Sequence, residues 1–147
     1  MSVLTDPSQF SIAGSANVPA FSTTLRVPKQ IVLNNNISGK VLSKSVPLTL
    51  TCNADVNNTN GVHVVVSYRV ITSNKENSEM PDTAITLNIV VPDNGSHTLT
   101  LDDLRAFPTG SIVDIGIGRG TWKVTGSPRK YLVYATTIAF GECTLTL

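Results

Sequence analysis

The chain has 147 residues, a length that suits one domain and leaves little room for two. Only 14% of the residues are charged and the net charge is +1, which argues against a disordered chain and against strong nonspecific binding of nucleic acid. Ser, Thr and Asn fill the place of the missing charges, and no apolar run approaches the ~18 residues of a membrane span.

The first 28 residues differ from the rest of the chain. They are rich in Ser, Ala and Thr, contain Pro7, Pro19 and Pro28, and alternate poorly. We therefore predict an N-terminal arm (1–28), extended or irregular, leading into one domain (29–147). A terminus of this kind becomes ordered only when it is held, either on its own domain or on a neighbouring copy. The sequence starts without a basic region and apolar core, so we expect a protein used without export, or a mature fragment.

Alternation with a period of two residues dominates the remainder and predicts β-strands. The strongest segments are 62–70, 85–91, 111–118 and 131–147, and the shorter ones are 30–33, 37–42 and 46–52. Gly141 interrupts the last segment, where we expect a bulge or a turn between two strands. Seven or eight strands with no helices between them predict an all-β fold, an immunoglobulin-like β-sandwich.

Local signals add turns and a single helical turn to this plan. Pro92, Asp93, Asn94 and Gly95 form a run of turn-favouring residues. At 101–106, the spacing of Thr100 and Asp103 is that of a capping box, which predicts one turn of helix. This capping role explains the acidic residues there better than an acid–base pair does, because adjacent carboxylates do not face each other across a substrate.

The sequence has two cysteines, Cys52 and Cys143, each on the leucine-bearing side of an alternating segment. Two interpretations stay open: two buried thiols that act as small apolar side chains, or a disulfide between facing strands. The pair lacks the CxxC spacing of a metal or redox motif.

Motifs that carry chemistry are missing from the sequence. It has no GxSxG, no HExxH and no phosphate-binding loop. His63 and His97 are predicted to face solvent, away from the apolar set. Asn53, Asp55 and Asn57 have the spacing of the first ligands of a calcium loop but lack its Gly and its bidentate Glu, which favours a polar loop with calcium as the alternative. We expect no catalytic residue, no bound metal and no cofactor.

Residues 119–130 form the segment with the most promise for binding. It holds four of the eleven basic residues, no acidic residue and the only Trp, and we predict a loop. The candidate binding residues are Arg119, Trp122, Lys123 and Arg129, which would hold a sugar ring, a cation or an apolar group of a partner. In the alternative, Trp122 folds back over the end of the sandwich and the basic residues are solvated. A single small basic loop lacks a stacking platform, so we expect no nucleic acid partner.

A series of segments in a fixed order carries a family resemblance. They read LTLTCNAD at 48–55, NGV at 60–62, VVVSY at 64–68, VPDNGS at 91–96, TLTLDDL at 98–104, FPTG at 107–110, GRG at 118–120 and KYLVYA at 130–135. Their order resembles the immunoglobulin-like modules of Bacteroidetes surface lipoproteins and of phages that infect these bacteria. Cys52 departs from the family, which often carries Trp there, and the leader of a lipoprotein is missing from the sequence. The resemblance implies a structural or adhesive role without an active site.

The sequence therefore predicts a non-enzymatic structural or interaction protein. Our first expectation is a phage virion component, a capsid decoration or minor head protein at the virion surface. Its partners would be copies of itself or other shell proteins. The alternative is a bacterial cell-surface adhesion or glycan-binding module, which acts outside the cell.

Overall fold

The computed structural model describes residues 6–68 and 83–147, in which the regular elements are nine β-strands and one short helix. The elements in chain order are β1 (Ser8–Ile12), β2 (Phe21–Leu25), β3 (Lys40–Ser43), β4 (Leu48–Thr51), β5 (Val62–Tyr68), β6 (Ile85–Val91), β7 (Ser96–Leu99), α1 (Leu101–Arg105), β8 (Ile112–Thr125) and β9 (Tyr131–Thr146). The all-β class is thus confirmed. The end of the predicted strand 62–70, beyond Tyr68, lies outside the described residues.

The strands form one large sheet and two small ones. The five-stranded sheet has the order β3-β9-β8-β5-β6, in which β3 runs parallel to β9 and the other neighbours are antiparallel. β4 and β7 form an antiparallel pair, and so do β1 and β2. The predicted strand 30–33 is wrong, since this segment contributes only an isolated bridge between Leu33 and Cys52.

One apolar core lies between the five-stranded sheet and the β4–β7 pair. Its buried members are Ile31, Ile37, Leu50, Val62, Val64, Val66, Tyr68, Leu99, Leu104, Phe107, Val113, Ile115, Ile117, Cys143 and Leu145. The core residues that belong to β5 and β8 occupy alternate positions, as expected for strands with one face toward a core. Full burial of one such aliphatic or aromatic side chain contributes roughly 1.5–3 kcal/mol, so this shared core holds the two sheets together.

The predicted capping box is confirmed at α1. Thr100 Oγ1 accepts a hydrogen bond from Asp103 N at 3.2 Å, and Thr100 N donates to Asp103 Oδ2 at 2.7 Å. The hydrogen bonds from the backbone and hydroxyl of Thr100 lower the pKa of Asp103. This short helix places Leu104 in the core beneath it.

β8 and β9 form a long hairpin that the sequence did not predict in full. All fourteen residues of β8 pair with β9, from Ile112 opposite Thr144 to Thr125 opposite Tyr131. The loop predicted at 119–130 is therefore wrong: residues 119–125 are strand, and only 126–130 make the turn. Gly126 begins that turn with a φ of +93°, a conformation that side-chain-bearing residues rarely adopt.

The break predicted at Gly141 is also wrong. Gly141 lies opposite Ile115 in a register that continues on both sides without a bulge. A Cβ atom at this position would lie 2.6 Å from Ile37 Cγ1 and 2.8 Å from Ser38 Oγ. Glycine is needed here because another segment of the chain packs directly on the strand.

The N-terminal arm folds onto its own chain as the β1–β2 hairpin. The rings of Phe21 and Tyr131 stack with their centroids 4.7 Å apart. Thr121 Oγ1 donates to the carbonyl of Arg26, and Arg129 Nη1 donates to the carbonyl of Asn17 at 2.8 Å. Of the two placements expected for the arm, the structure shows the one on its own domain.

Both cysteines are free thiols. Cys143 is buried in the core, whereas Cys52 is half-buried at the edge of the core. Burial, together with the nearby carboxylates of Asp114 and Glu142, raises the pKa of the Cys143 thiol to about 11. Burial also raises the pKa of Cys52. In this structure the two cysteines are apolar packing groups.

Candidate binding surface

The β8–β9 hairpin continues beyond the rest of its sheet. β5 pairs with β8 only as far as His63 opposite Gly118, so residues 119–125 pair with β9 alone. Side chains alternate across the two faces of a strand pair. The β1–β2 arm packs against one face of this extension, and the other face is uncovered by the described residues.

We call this other face the outer face. It consists of alternate residues of the two strands: Gly116, Gly118, Gly120, Trp122 and Val124 of β8, and Leu132, Tyr134, Thr136, Ile138 and Phe140 of β9. Apart from three glycines and Thr136, the outer face consists of six large apolar residues, and these are between 56% and 75% exposed. Scattered single apolar residues are normal on a surface, but a contiguous patch marks an interaction site.

A groove of about 350 Å³ runs along the outer face. Gly118 and Gly120 lie along it and project no side chains into it. Trp122 and Tyr134, which are paired across the strands, line the groove together with His63 of β5. The groove exists because Gly118 and Gly120 lack side chains while Trp122, Leu132, Tyr134 and Ile138 around them are large.

The ten residues of the outer face carry no charge; beyond them, the same side of the hairpin continues into Asp114 and Glu142. None of its ten residues is Asp, Glu, Lys or Arg, although the chain has 21 such residues in total. Burial of this face would therefore remove apolar area from water without the cost of desolvating a charged group. The face suits an apolar partner.

The structure does not bring the four predicted binding residues together. Trp122 lies on the outer face and is 56% exposed, so the alternative in which it folds back over the end of the domain is wrong. Lys123 occupies the next strand position and so belongs to the opposite face. Arg129 lies in the turn, where it holds the carbonyl of Asn17.

Arg119 is fully buried in an internal network. Its Nη2 donates to Asp93 Oδ1 at 3.0 Å and to the carbonyl of Asn53 at 2.5 Å, and its Nη1 donates to the carbonyl of Lys29 at 3.2 Å. The Asp93 side chain is equally buried. The guanidinium thus joins three separate segments of the chain and faces away from Trp122.

A second ion pair fixes the end of the arm beside this network. Arg26 Nη2 lies 2.6 Å from both carboxylate oxygens of Asp55. Burial by itself raises the pKa of Asp55, but hydrogen bonds from Arg26 and from the backbone N–H groups of Lys29 and Asn57 outweigh burial and lower the pKa to about 2. Asp55 is ionised at neutral pH and acts as a clamp for the arm.

Two of the three side chains expected for a calcium loop have their oxygens occupied by protein donors. Asp55 accepts from Arg26, and Asn53 Oδ1 accepts from the backbone N–H of Val32 at 2.7 Å. Across residues 6–68 and 83–147, no three or more His, Cys, Asp or Glu side chains form a group that could hold a metal ion. These same ranges contain no helix with the length and hydropathy of a membrane span.

The histidines differ from each other. His63 faces outward as predicted and lines the groove. The prediction for His97 is wrong: it is paired with Leu50 on the inward side of the β4–β7 pair and is half-buried there.

Comparison with known proteins adds no relative. No protein-family model, curated protein or solved structure matches the chain. The outer face is therefore the feature of the chain that bears on function, and the family resemblance of the sequence stays a prediction.

Sequence reasoning found Trp122 but missed the rest of the outer face. The residues missed are Gly116, Gly118, Gly120, Val124, Leu132, Tyr134, Thr136, Ile138 and Phe140. Two signals in the sequence point to them. Glycine occupies every second position from 116 to 120, and large apolar residues occupy the even positions from 132 to 140 except Thr136, while the odd positions are mostly apolar as well. A strand with apolar side chains on both faces either packs against a core on each face or leaves one apolar face exposed for a partner.

Proposed function

We propose that the chain is a non-enzymatic structural and interaction protein whose outer face is covered by a protein partner in a larger assembly. The observation that carries the proposal is the uncharged outer face, with its six large apolar side chains more than half exposed. Such a patch gains roughly 25 cal/mol for each Å² that a partner removes from water. Following the resemblance in the sequence, we favour a phage virion component, a capsid decoration or minor head protein at the virion surface.

We further propose that the fold is an immunoglobulin-like β-sandwich. In the variable type of this fold, strands G, F and C form one sheet with C′ added, and strands B and E are neighbours in the other sheet. The order β9-β8-β5-β6 corresponds to G-F-C-C′, and the β4–β7 pair corresponds to B–E. This correspondence supports a module that acts by presenting its surfaces.

The position of the arm limits the surfaces on which a partner can bind. Because β1 and β2 pack on their own chain, they shield the inner side of the β8–β9 extension. The outer face is the large apolar surface that the described residues leave open. A partner that covers the outer face thereby holds the chain in an assembly.

The test is assembly with the proteins encoded by neighbouring genes. The chain is co-expressed with them, and particles are collected by sedimentation. We expect the chain to sediment with the particles and Ile138→Asp to abolish this, because the substitution buries a carboxylate in the centre of the outer face. Val56→Asp, at a loop residue that is 90% exposed, is the matched control and should assemble normally. Normal assembly of the Ile138→Asp chain would contradict the proposal.

The groove favours one alternative function, a cell-surface adhesion module that binds glycans. Trp122 and Tyr134 offer aromatic rings on which the apolar face of a sugar could lie, above a floor of glycines. A glycan array tests this alternative. Binding that Trp122→Ala abolishes and Val124→Ala retains would support it. Lack of binding to any glycan would reject it.

A further inference from the structure

We infer that the partner on the outer face is a second copy of this chain, packed face to face about a two-fold axis. In this dimer Ile138 and Phe140 of each copy fill the row of β8 glycines of the other copy. The inference rests on the proposed function, since it takes the outer face as the interaction surface, and it goes further by identifying the partner.

Shape is the first argument. On β9, the side chains of Leu132, Tyr134, Ile138 and Phe140 form a raised row, which we call the ridge. On β8, Gly116, Gly118 and Gly120 form a parallel depression, which we call the trough. The two features are directly adjacent, because Gly116 pairs with Phe140 and Gly118 pairs with Ile138.

Symmetry then makes this face complementary to itself. A two-fold axis that lies in the interface, parallel to the strands and between β8 and β9, exchanges the positions of ridge and trough. The Ile138–Phe140 end of the ridge of one copy is thereby placed over the trough of the other, twice. A two-fold interface requires the same patch to be complementary to itself, and the adjacent ridge and trough meet that requirement.

The two-fold axis itself fixes the position along the strands, because a rotation about an axis parallel to the strands keeps each residue at its own level. Ile138 and Phe140 therefore lie over Gly118 and Gly116 of the other copy, their pairing levels in the hairpin. Trp122 follows Gly120 at the next outward position of β8, so its ring ends the row of glycines and meets Tyr134 of the other copy. The dimer therefore has one register rather than a series of equivalent ones.

Area is the second argument. The exposed parts of the six large apolar side chains amount to roughly 700–800 Å², taking an aromatic side chain as ~150–250 Å² and an aliphatic one as somewhat less. A stable protein interface of standard size buries about 800 Å² on each partner. The outer face alone thus supplies the area that a stable dimer needs.

Charge is the third argument. A charged partner, such as a nucleic acid or an acidic peptide, would find no group of opposite sign among the ten residues of the outer face. Two copies of these ten residues meet without desolvating an ion, and Asp114 and Glu142, which continue the same side of the hairpin beyond Gly116 and Phe140, lie at the edge of the interface. The same property that excludes charged partners favours another copy of the chain.

The first experiment measures the mass of the chain by sedimentation velocity over a wide range of concentrations. We expect a monomer–dimer equilibrium, with a dissociation constant that Ile138→Asp raises about 100-fold or more, since the dimer buries the new carboxylate twice. Val56→Asp, the control away from the outer face, should dimerise like the original chain. Circular dichroism and the melting temperature show that each variant is folded.

A second variant tests shape without adding charge. Gly118→Leu fills the trough of each copy. A Cβ atom at Gly118 lies 3.4 Å from Ile138 Cγ1 and 3.5 Å from the Thr137 carbonyl, ordinary contacts that the fold tolerates. We expect dimerisation to weaken about tenfold or more while the monomer stays folded.

Cross-linking tests the two-fold geometry. In a Cys52→Ser background, one sample carries Gly118→Cys and another carries Ile138→Cys, and the two are mixed. Ridge-in-trough packing places these two positions against each other in different copies, so the mixed cross-link should exceed either self cross-link. A preference for the self cross-links would overturn the geometry.

The outcomes separate this inference from the proposed function. A chain that stays monomeric at every concentration, or a dimer that neither Ile138→Asp nor Gly118→Leu weakens, overturns self-association. If that monomeric chain still sediments with particles and Ile138→Asp abolishes this, the proposed function stands with a different partner. If Ile138→Asp changes neither behaviour, both proposals fail.

Discussion

One buried and one part-buried ion pair hold segments that are distant in sequence, and single residues decide whether they form. Arg119 bonds to Asp93 and to two backbone carbonyls, while Arg26 bonds to Asp55. A buried ion pair contributes little net stability compared with apolar residues of the same shape, but removal of one partner leaves an uncompensated charge. We expect the network to specify the fold more than it strengthens it.

Arg119→Met should be among the most destabilising substitutions in the chain. It leaves the buried Asp93 carboxylate without its cation, and we expect a loss of about 3–5 kcal/mol in the free energy of unfolding. Urea denaturation measures the loss. Arg105→Met is the matched control and should change little, because the Arg105–Asp102 pair is exposed. Equal effects of the two substitutions would show that Arg119 does not hold the network together.

Asp55 should make stability depend on pH in the acidic range. Its pKa is about 2 in the folded chain, below the ordinary value of 3.8, so the folded state takes up a proton less readily than the unfolded state does. The stability that follows, about 2 kcal/mol, is fully present above pH ~5 and is lost as the pH falls from ~4 to ~2. Urea titrations at a series of pH values measure this slope. Asp55→Asn should flatten it, and an unchanged slope in that variant would contradict the assignment.

At the scale of elements, glycines at two positions of the hairpin have opposite roles. Gly141 makes room for Ile37, whereas a Cβ atom added at Gly116 would lie 3.9 Å from its nearest neighbours. We expect Gly141→Ala to cost about 1–3 kcal/mol through overpacking. Gly116→Ala should be neutral, or stabilising by up to ~1 kcal/mol. Urea denaturation at concentrations where the chain is monomeric compares the two, and an equal effect of both would refute the close-packing argument.

The strands that the sequence predicted best have one apolar and one polar side. In β5, Val62, Val64 and Val66 face the core while His63 faces outward, so simple alternation identifies the strand. β8 begins in the same way, but its polarity reverses part-way: Arg119 continues the inward set and Trp122 lies outward. A search for apolar residues at the same alternate positions fails beyond that reversal. For this reason the second half of β8 was predicted as a loop.

The candidate site could be predicted only in part for a related reason. The inward side of the hairpin tip can be polar because Asp93 and backbone carbonyls of other segments meet it there. In β9, apolar residues occur on both faces, and the docking of the arm decides which face stays open. That choice depends on contacts between the two ends of the chain, which no local pattern encodes.

At the scale of the whole molecule, the thiol of Cys143 reports on the intact fold. It lies in the shared core, and its pKa of about 11 keeps it protonated at neutral pH. In a Cys52→Ser chain, we expect a thiol reagent to modify Cys143 only through opening of the core, with a rate that follows the free energy of unfolding as urea is added. Rapid modification without denaturant would show that the core opens locally.

The arm and the hairpin that receives it lie at opposite ends of the chain. The hydrogen bonds between them join residues 95 and 112 positions apart. During translation at ~5–20 residues per second, the arm leaves the ribosome about 5–20 s before its docking strands exist. Until β8 and β9 have been made, β1 and β2 have no surface of their own chain to dock on and can pair with the strands of another nascent chain. Misassembly is therefore most probable in this interval before the arm docks.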